Sequence, residues 1–128
     1  MISIFNYDRL YQLARDLKPS YPEAQPFPHT VIENAANSEV LDEALKVFPK
    51  PDQIRWYQYD NPLERKLAMP HSEQLPELFE EIFLQFNGIK FLRFLEELTG
   101  IEDLLPDPSL NGGGLHQIPR GGKLDVHA

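Results

Sequence analysis

Four histidines carry most of the chemical potential of this chain: His29, His71, His116 and His127. The last stands two residues after Asp125, in the run Lys123-Leu124-Asp125-Val126-His127. Read as a strand, that run puts Asp125 and His127 on one face and Leu124 and Val126 on the other, because side chains alternate with period two. An imidazole and a carboxylate converging in this way can share one metal ion or one proton. His116 sits between Leu115 and Gln117 on an extended segment that follows Gly112-Gly113-Gly114. His29, near the start of an extended stretch between prolines, and His71, between Pro70 and Ser72, read as structural or exposed. No Gly-x-Ser-x-Gly elbow is present. The glycine triplet lacks the Lys-Ser/Thr of a phosphate-binding loop and no helix follows it, so a nucleotide site is dismissed.

The elements that must position these groups begin with helices. Tyr7, Leu10, Leu13, Ala14 and Leu17 recur at helical spacing, and Pro19 and Pro22 end that helix. Lys18 to Pro28 is a proline-rich linker. Phe27 to Asn34 reads as a strand, with a turn over Asn34 to Asn37. Ser38 is the expected N-cap of a second helix, with Val40, Leu41, Ala44, Leu45 and Phe48 as its buried stripe and Pro49 as its stop. Ile54 to Tyr59 is short and aromatic, which favours a strand. Asp60-Asn61-Pro62 is turn chemistry, and Glu64 to Met69 is a further extended piece. Leu75, Leu78, Phe79, Ile82, Phe83 and Phe86 mark a third helix with Pro76 in its first turn. Phe91, Leu92, Leu95 and Leu98 mark a fourth, with an Arg93–Glu97 pair on its surface and Gly100 as its C-cap. Ile101 to Asn111 is a loop. The order predicts helices with isolated strands first and a sheet that begins only at the end.

Bulk properties narrow the function classes. At 128 residues the chain is at most one domain's length. Its 14 aromatic residues, 8 Phe, 5 Tyr and 1 Trp, argue against disorder. The net charge of −8 and the lack of a basic stripe argue against nucleic acid as a partner. The absence of cysteine excludes disulfides, zinc-thiolate sites and thiol catalysis, which fits a cytoplasmic protein. The N-terminus lacks a secretory pattern, and no stretch approaches the roughly 18 to 20 apolar residues of a membrane span, so no membrane partner is expected.

Phe94 to Pro108, then Gly112-Gly113-Gly114-Leu115-His116-Gln117-Ile118, then Gly121-Gly122-Lys123-Leu124-Asp125-Val126-His127 resemble the catalytic domain of 2-oxoglutarate- and Fe(II)-dependent oxygenases, in the prolyl 4-hydroxylase-like branch. Pro26 to Asn34 and the helix after it resemble the start of that domain. The resemblance spans roughly Pro26 to Ala128. It implies an α+β fold in which N-terminal helices precede the first strands of a double-stranded β-helix, or jelly roll, in truncated form. Residues 1–25 are then an N-terminal helix and linker, and 26–128 the N-terminal portion of an oxygenase domain, incomplete at its C-terminus.

The same resemblance implies Fe(II) as metal, 2-oxoglutarate as cosubstrate and ascorbate as a further cofactor of the complete enzyme, which hydroxylates a C–H bond of a peptidyl or small-molecule substrate with O2. The family's metal site is a His-x-Asp pair plus a distant His, which leaves coordination positions for the 2-oxo acid and O2. His127 matches the first His. Its aspartate partner would fall two residues on, past Ala128, and the second His and the basic residue that holds 2-oxoglutarate further still. Asp125 is then a wall residue, and one of His116 and Gln117 faces the same substrate or cosubstrate cavity. One imidazole does not hold iron, so the chain alone is expected to be inactive. Strands 115–118 and 123–127 are expected to lack partners and to be loosely held. Two other readings compete: a short acidic helical interaction module without catalysis, and a metal-dependent hydrolase using Asp125, His127 and His116, which needs one further ligand.

Overall fold

In a computed structural model, residues 3–70, 73–111 and 113–127 are described. His71, with its expected structural role, lies outside them. The chain is α+β, and divides into two compact units: residues 1–47 with 77–108, and residues 48–76 with 109–128.

The first unit is helical. It holds α1 (Tyr7–Leu17), a short 3-10 turn (Tyr21–Glu23), α2 (Ser38–Val47), α3 (Glu77–Phe86) and α4 (Ile89–Thr99). α1 starts where Asn6 accepts the Arg9 N–H on its side chain, at 3.1 Å, satisfying one of the donors a helix start leaves open. Its Leu10 and Ala14, one turn apart, are buried, and α1 packs along α4. α4 ends at Gly100, whose φ of 74° is the left-handed conformation that glycine adopts without penalty. A Cβ there would meet nothing within 4 Å, so the glycine serves the backbone conformation and not a close approach.

An aromatic cluster runs from the aliphatic core of this unit to its surface, from buried Phe5 and Phe94 to exposed Phe86. Phe5 stacks on Phe91 at 4.8 Å and meets Phe86 edge-on at 5.2 Å, and Phe91 lies 5.5 Å from Phe94. Offset and edge arrangements of this kind add to the gain from burial. Ile4 is also buried, and its N–H donates to Gln85 Oε1 at 2.6 Å.

Several expectations for this unit are corrected. Residues 27–34 form no strand; the nearest ladder feature is an isolated bridge between Phe5 and Ala36. The reason is visible in the hydrogen bonds: the Arg9 guanidinium takes the carbonyls of Glu33 and Asn34, and Phe27 and Val31 face solvent. Asn37, not Ser38, caps α2, accepting the Glu39 N–H at 3.0 Å. Of the stripe predicted on α2, Val40 and Ala44 are buried while Leu41 and Leu45 are exposed. On α4, Glu97 pairs with Lys18 at 3.8 Å, not with Arg93.

The second unit is a four-stranded antiparallel sheet: β1 (Tyr57–Asp60), β2 (Glu64–Met69), β3 (Leu115–Gln117) and β4 (Lys123–Leu124). β1 and β2 form a hairpin with Tyr57 opposite Ala68 and Asp60 opposite Arg65. Asn61 makes the turn: its Oδ1 accepts the N–H groups of Leu63 and Glu64 at 2.9 and 3.1 Å. β2 is central, pairing with β1 on one side and with β3 and β4 on the other. The sheet therefore starts in mid-chain, and the two C-terminal strands have a partner, contrary to both expectations. Trp56 is buried and stacked on Phe48, 6.1 Å away, with its indole N–H donated to the Lys50 carbonyl at 3.1 Å.

β3 and β4 behave as one strand interrupted. From the Leu67–Gln117 pair to the Arg65–Lys123 pair β2 moves two residues while its neighbour moves six, so four residues are looped out. A glycine stands just before each of the two pieces and permits a close pass against β2. A Cβ on Gly122 would lie 2.5 Å from the Arg65 carbonyl oxygen, and one on Gly114 only 2.2 Å from that of Met69, at a φ of 129°.

Candidate functional site

The register of the sheet decides which side chains meet. Opposed residues point to the same face. Tyr57, Ala68 and His116 therefore share a face, and so do Tyr59 with Lys66, and Glu64 with Leu124. Alternation along β2 makes these one set, since Glu64, Lys66 and Ala68 are each two apart. Leu115 and Gln117 point the other way, with Leu67 and Met69.

On the first of these faces lies an open depression of about 510 Å³. Tyr57, Tyr59, Glu64, Lys66, Ala68 and His116 line it from the sheet, and Pro70, Ser109, Leu110, Asn111, Gly113 and His127 from the surrounding loops. Lys66 Nζ lies 3.2 Å from Glu64 Oε2, and each of the two side chains is only 15% exposed. The Tyr59 ring lies under the same ammonium, 5.2 Å from ring centre to nitrogen, close enough for a cation–π attraction. Desolvation of the His116 ring pushes its pKa below the ordinary value of 6.5, and the Lys66 charge pushes the same way, against the opposing pull of Glu64. Both effects favour the neutral imidazole.

The four residues singled out from sequence are divided by this geometry. His116 and His127 line the depression. Gln117 does not: it lies on the opposite face and donates its side-chain N–H to the Pro49 carbonyl at 3.2 Å. Asp125 does not line it either. Its carboxylate is held by Lys123 Nζ at 2.6 Å, and the same ammonium donates to the Pro62 carbonyl. Asp125 and His127 part because the ladder stops at β4. The last bond of that edge runs from the Asp125 N–H to the Leu63 carbonyl at 2.7 Å, where β2 has already given way to the Asn61 turn. With no backbone left to pair, Val126 and His127 leave the strand.

His127 donates Nδ1–H to the Asp125 carbonyl at 2.6 Å, since a carbonyl can only accept. In the neutral ring this leaves the lone pair on Nε2, the arrangement in which metal-binding histidines are held. His29 makes the same contact with the Phe27 carbonyl at 2.7 Å in an exposed loop. The tautomer alone therefore does not mark a site; its combination with the depression does.

The described residues do not complete an iron site. His127 offers one open imidazole, Asp125 is engaged by Lys123, Glu64 by Lys66, and no group of three or more His, Asp or Glu among the described residues is placed to hold a metal ion.

Tyr57, Tyr59, Glu64 and Lys66 were not singled out from the sequence. The signal for them was the period-two spacing within 57–59 and 64–68, which places each pair on one face once the turn at Asn61 makes the two segments a hairpin. Comparison with family models, curated proteins and solved structures gives no match. No helix among the described residues is long and apolar enough to cross a membrane.

Proposed function

We propose that this chain contributes the helices, the first strands and one metal-binding histidine of a 2-oxoglutarate- and Fe(II)-dependent oxygenase of the prolyl 4-hydroxylase-like branch, working in the cytoplasm. Its sheet would belong to a jelly roll. The observation that carries the reading is His127, with Nδ1 tied and Nε2 open, at the rim of a depression that His116 also lines. Its support in sequence is the run from Gly112 to His127. Bound iron and 2-oxoglutarate would supply the oxidising chemistry for C–H hydroxylation with O2, and ascorbate would serve as a further cofactor. What these residues themselves provide is a ligand nitrogen and a wall for the peptidyl or small-molecule substrate. Since they hold one ligand of the set, the 128 residues alone are proposed to be inactive.

The test has two parts. Titration of the chain with Fe(II) under anaerobic conditions should show no tight binding, and addition of O2 should give no conversion of 2-oxoglutarate to succinate; turnover by this chain would overturn the inactivity. The coding sequence after the Ala128 codon should read Asp next, in one of the three frames, with a later His and a basic residue. A polypeptide extended by that sequence should bind Fe(II) and make succinate, and His127→Ala should abolish both. A stop codon with no such remnant would sink the oxygenase reading. It would favour an acidic helical interaction module, to which the exposed Leu41 and Leu45 on α2 lend support.

A further inference from the structure

The ion pair at the floor of the depression differs from four others between described side chains. Lys46–Glu43, Arg65–Asp60, Lys123–Asp125 and Lys18–Glu97 all have side chains at least 40% exposed. Such pairs are solvated and hold little in place. Glu64 and Lys66 are each 15% exposed, yet they sit on a sheet face that opens into free volume. Shielding two charges from water is unfavourable unless their remaining hydrogen-bonding capacity is used. Beside the ion pair and the Tyr59 ring the ammonium keeps a further N–H, and the carboxylate most of its lone pairs, for a ligand in the depression.

We propose that this depression binds a small zwitterion of the α-amino-acid class, with its ammonium on the Glu64 carboxylate, its carboxylate on the Lys66 ammonium and its side chain against the rings of Tyr57 and Tyr59. Three observations select that class. The two opposite charges stand side by side, as ammonium and carboxylate do on an α-carbon. The pair sums to zero formal charge and offers one site of each sign, so the floor suits a ligand that carries both signs better than a dicarboxylate. The remaining sheet surface is aromatic and aliphatic, from Tyr57, Tyr59 and Ala68, which suits an apolar side chain. This deepens the oxygenase reading by naming a substrate class, and rests on it only for what is done to the ligand. Binding requires no metal.

The experiment is a titration of the 15N-labelled 128-residue chain, followed by amide chemical shifts, with L-leucine, N-acetyl-L-leucine, L-leucinamide and glutarate as probes. L-Leucine should saturate, with shifts concentrated in residues 57–60, 64–68 and 115–117. The acetylated and amidated forms, each lacking one charge, should bind at least about tenfold more weakly, as should glutarate, a loss of the size expected for a charge-assisted contact. Glu64→Gln should weaken L-leucine by a similar factor while leaving the weak N-acetyl-leucine affinity unchanged, and Lys66→Met should likewise weaken L-leucine while leaving the weak leucinamide affinity unchanged. Because the ligand-side deletions use the unaltered chain, a variant that folds poorly does not blunt the test. Equal binding of the blocked forms, tighter binding of glutarate, shifts outside this face, or no saturation would each overturn the proposal. None of those results bears on whether iron ligands follow His127, and a gene without them leaves the zwitterion site standing.

Discussion

The helical unit and the sheet unit hold their shapes by different means. In the helical unit side chains set the form: Phe5, Phe91 and Phe94 meet with the more exposed Phe86 in one ring cluster, and Ile4, Leu10, Phe79, Ile82, Leu92 and Leu98 are buried with Phe5 and Phe94. In the sheet unit few side chains are buried, chiefly Trp56, Ala68, Met69, Leu75 and Leu115. Its form depends on backbone positions that admit little else: Asn61 in the turn, Gly114 and Gly122 against β2. One region tolerates polar change on its surface because its core is apolar. The other keeps a polar face because its constraints lie in the main chain, and that is the region with the candidate site.

This contrast is open to direct attack. The largest effect is expected from Phe94→Ala, which empties a buried aromatic position and should cost about 3–5 kcal/mol in urea unfolding. A loss below about 1 kcal/mol would show that the aromatic cluster is not what holds the helices. Gly114→Ala should come next, at about 2–3 kcal/mol, because the new methyl group meets the Met69 carbonyl in a backbone conformation that L-residues avoid. Hydrogen exchange should locate that damage in residues 67–69 and 115–117; damage spread evenly over α1 and α4 would blur the distinction between the units. Asn37→Ala removes a cap and should cost about 1 kcal/mol, read as a lowered melting temperature.

The smallest effect concerns pH. His116 should titrate below 6.5 by NMR, and Lys66→Met should raise its midpoint part of the way back, since desolvation is the larger cause. A folded-state pKa lowered for a base means that the unfolded chain takes up the proton first as pH falls. The contribution of His116 to stability is therefore complete above 6.5 and is lost as pH drops through its folded midpoint. His116→Gln should remove that part of the acid slope. A midpoint at or above 6.5 would show that the ring is not desolvated.

How much of this was legible in the sequence differs between the two units in the same way. The body of α1 and the end of α4 were readable, because helical spacing and Gly100 are local signals, whereas the cap at Asn6 was not singled out. The exposure of Leu41 and Leu45 was not, since five apolar residues on α2 exceed the face that its neighbours cover. The strand expected over 27–34 failed for a non-local reason: Arg9, 24 or 25 positions earlier, takes its carbonyls. In the sheet, extended segments at 54–59 and 64–69 were expected, of which the first forms a strand only from Tyr57 to Asp60, and their pairing was not legible. Register alone put His116, and not Gln117, into the depression, and the early end of β2 separated Asp125 from His127.

The four looped-out residues between β3 and β4 set a rule for how this segment can change in length. Four is even, so the strand resumes in phase: Leu124 returns to the face of His116, and Lys123 to the face of Gln117. Removing or adding two residues keeps that phase. Removing or adding one turns every later side chain through the sheet and puts Lys123 beside Glu64 and Lys66. Insertions and deletions at this point of the chain should therefore be tolerated in pairs and rejected singly, a parity constraint that a library of loop lengths would expose at once.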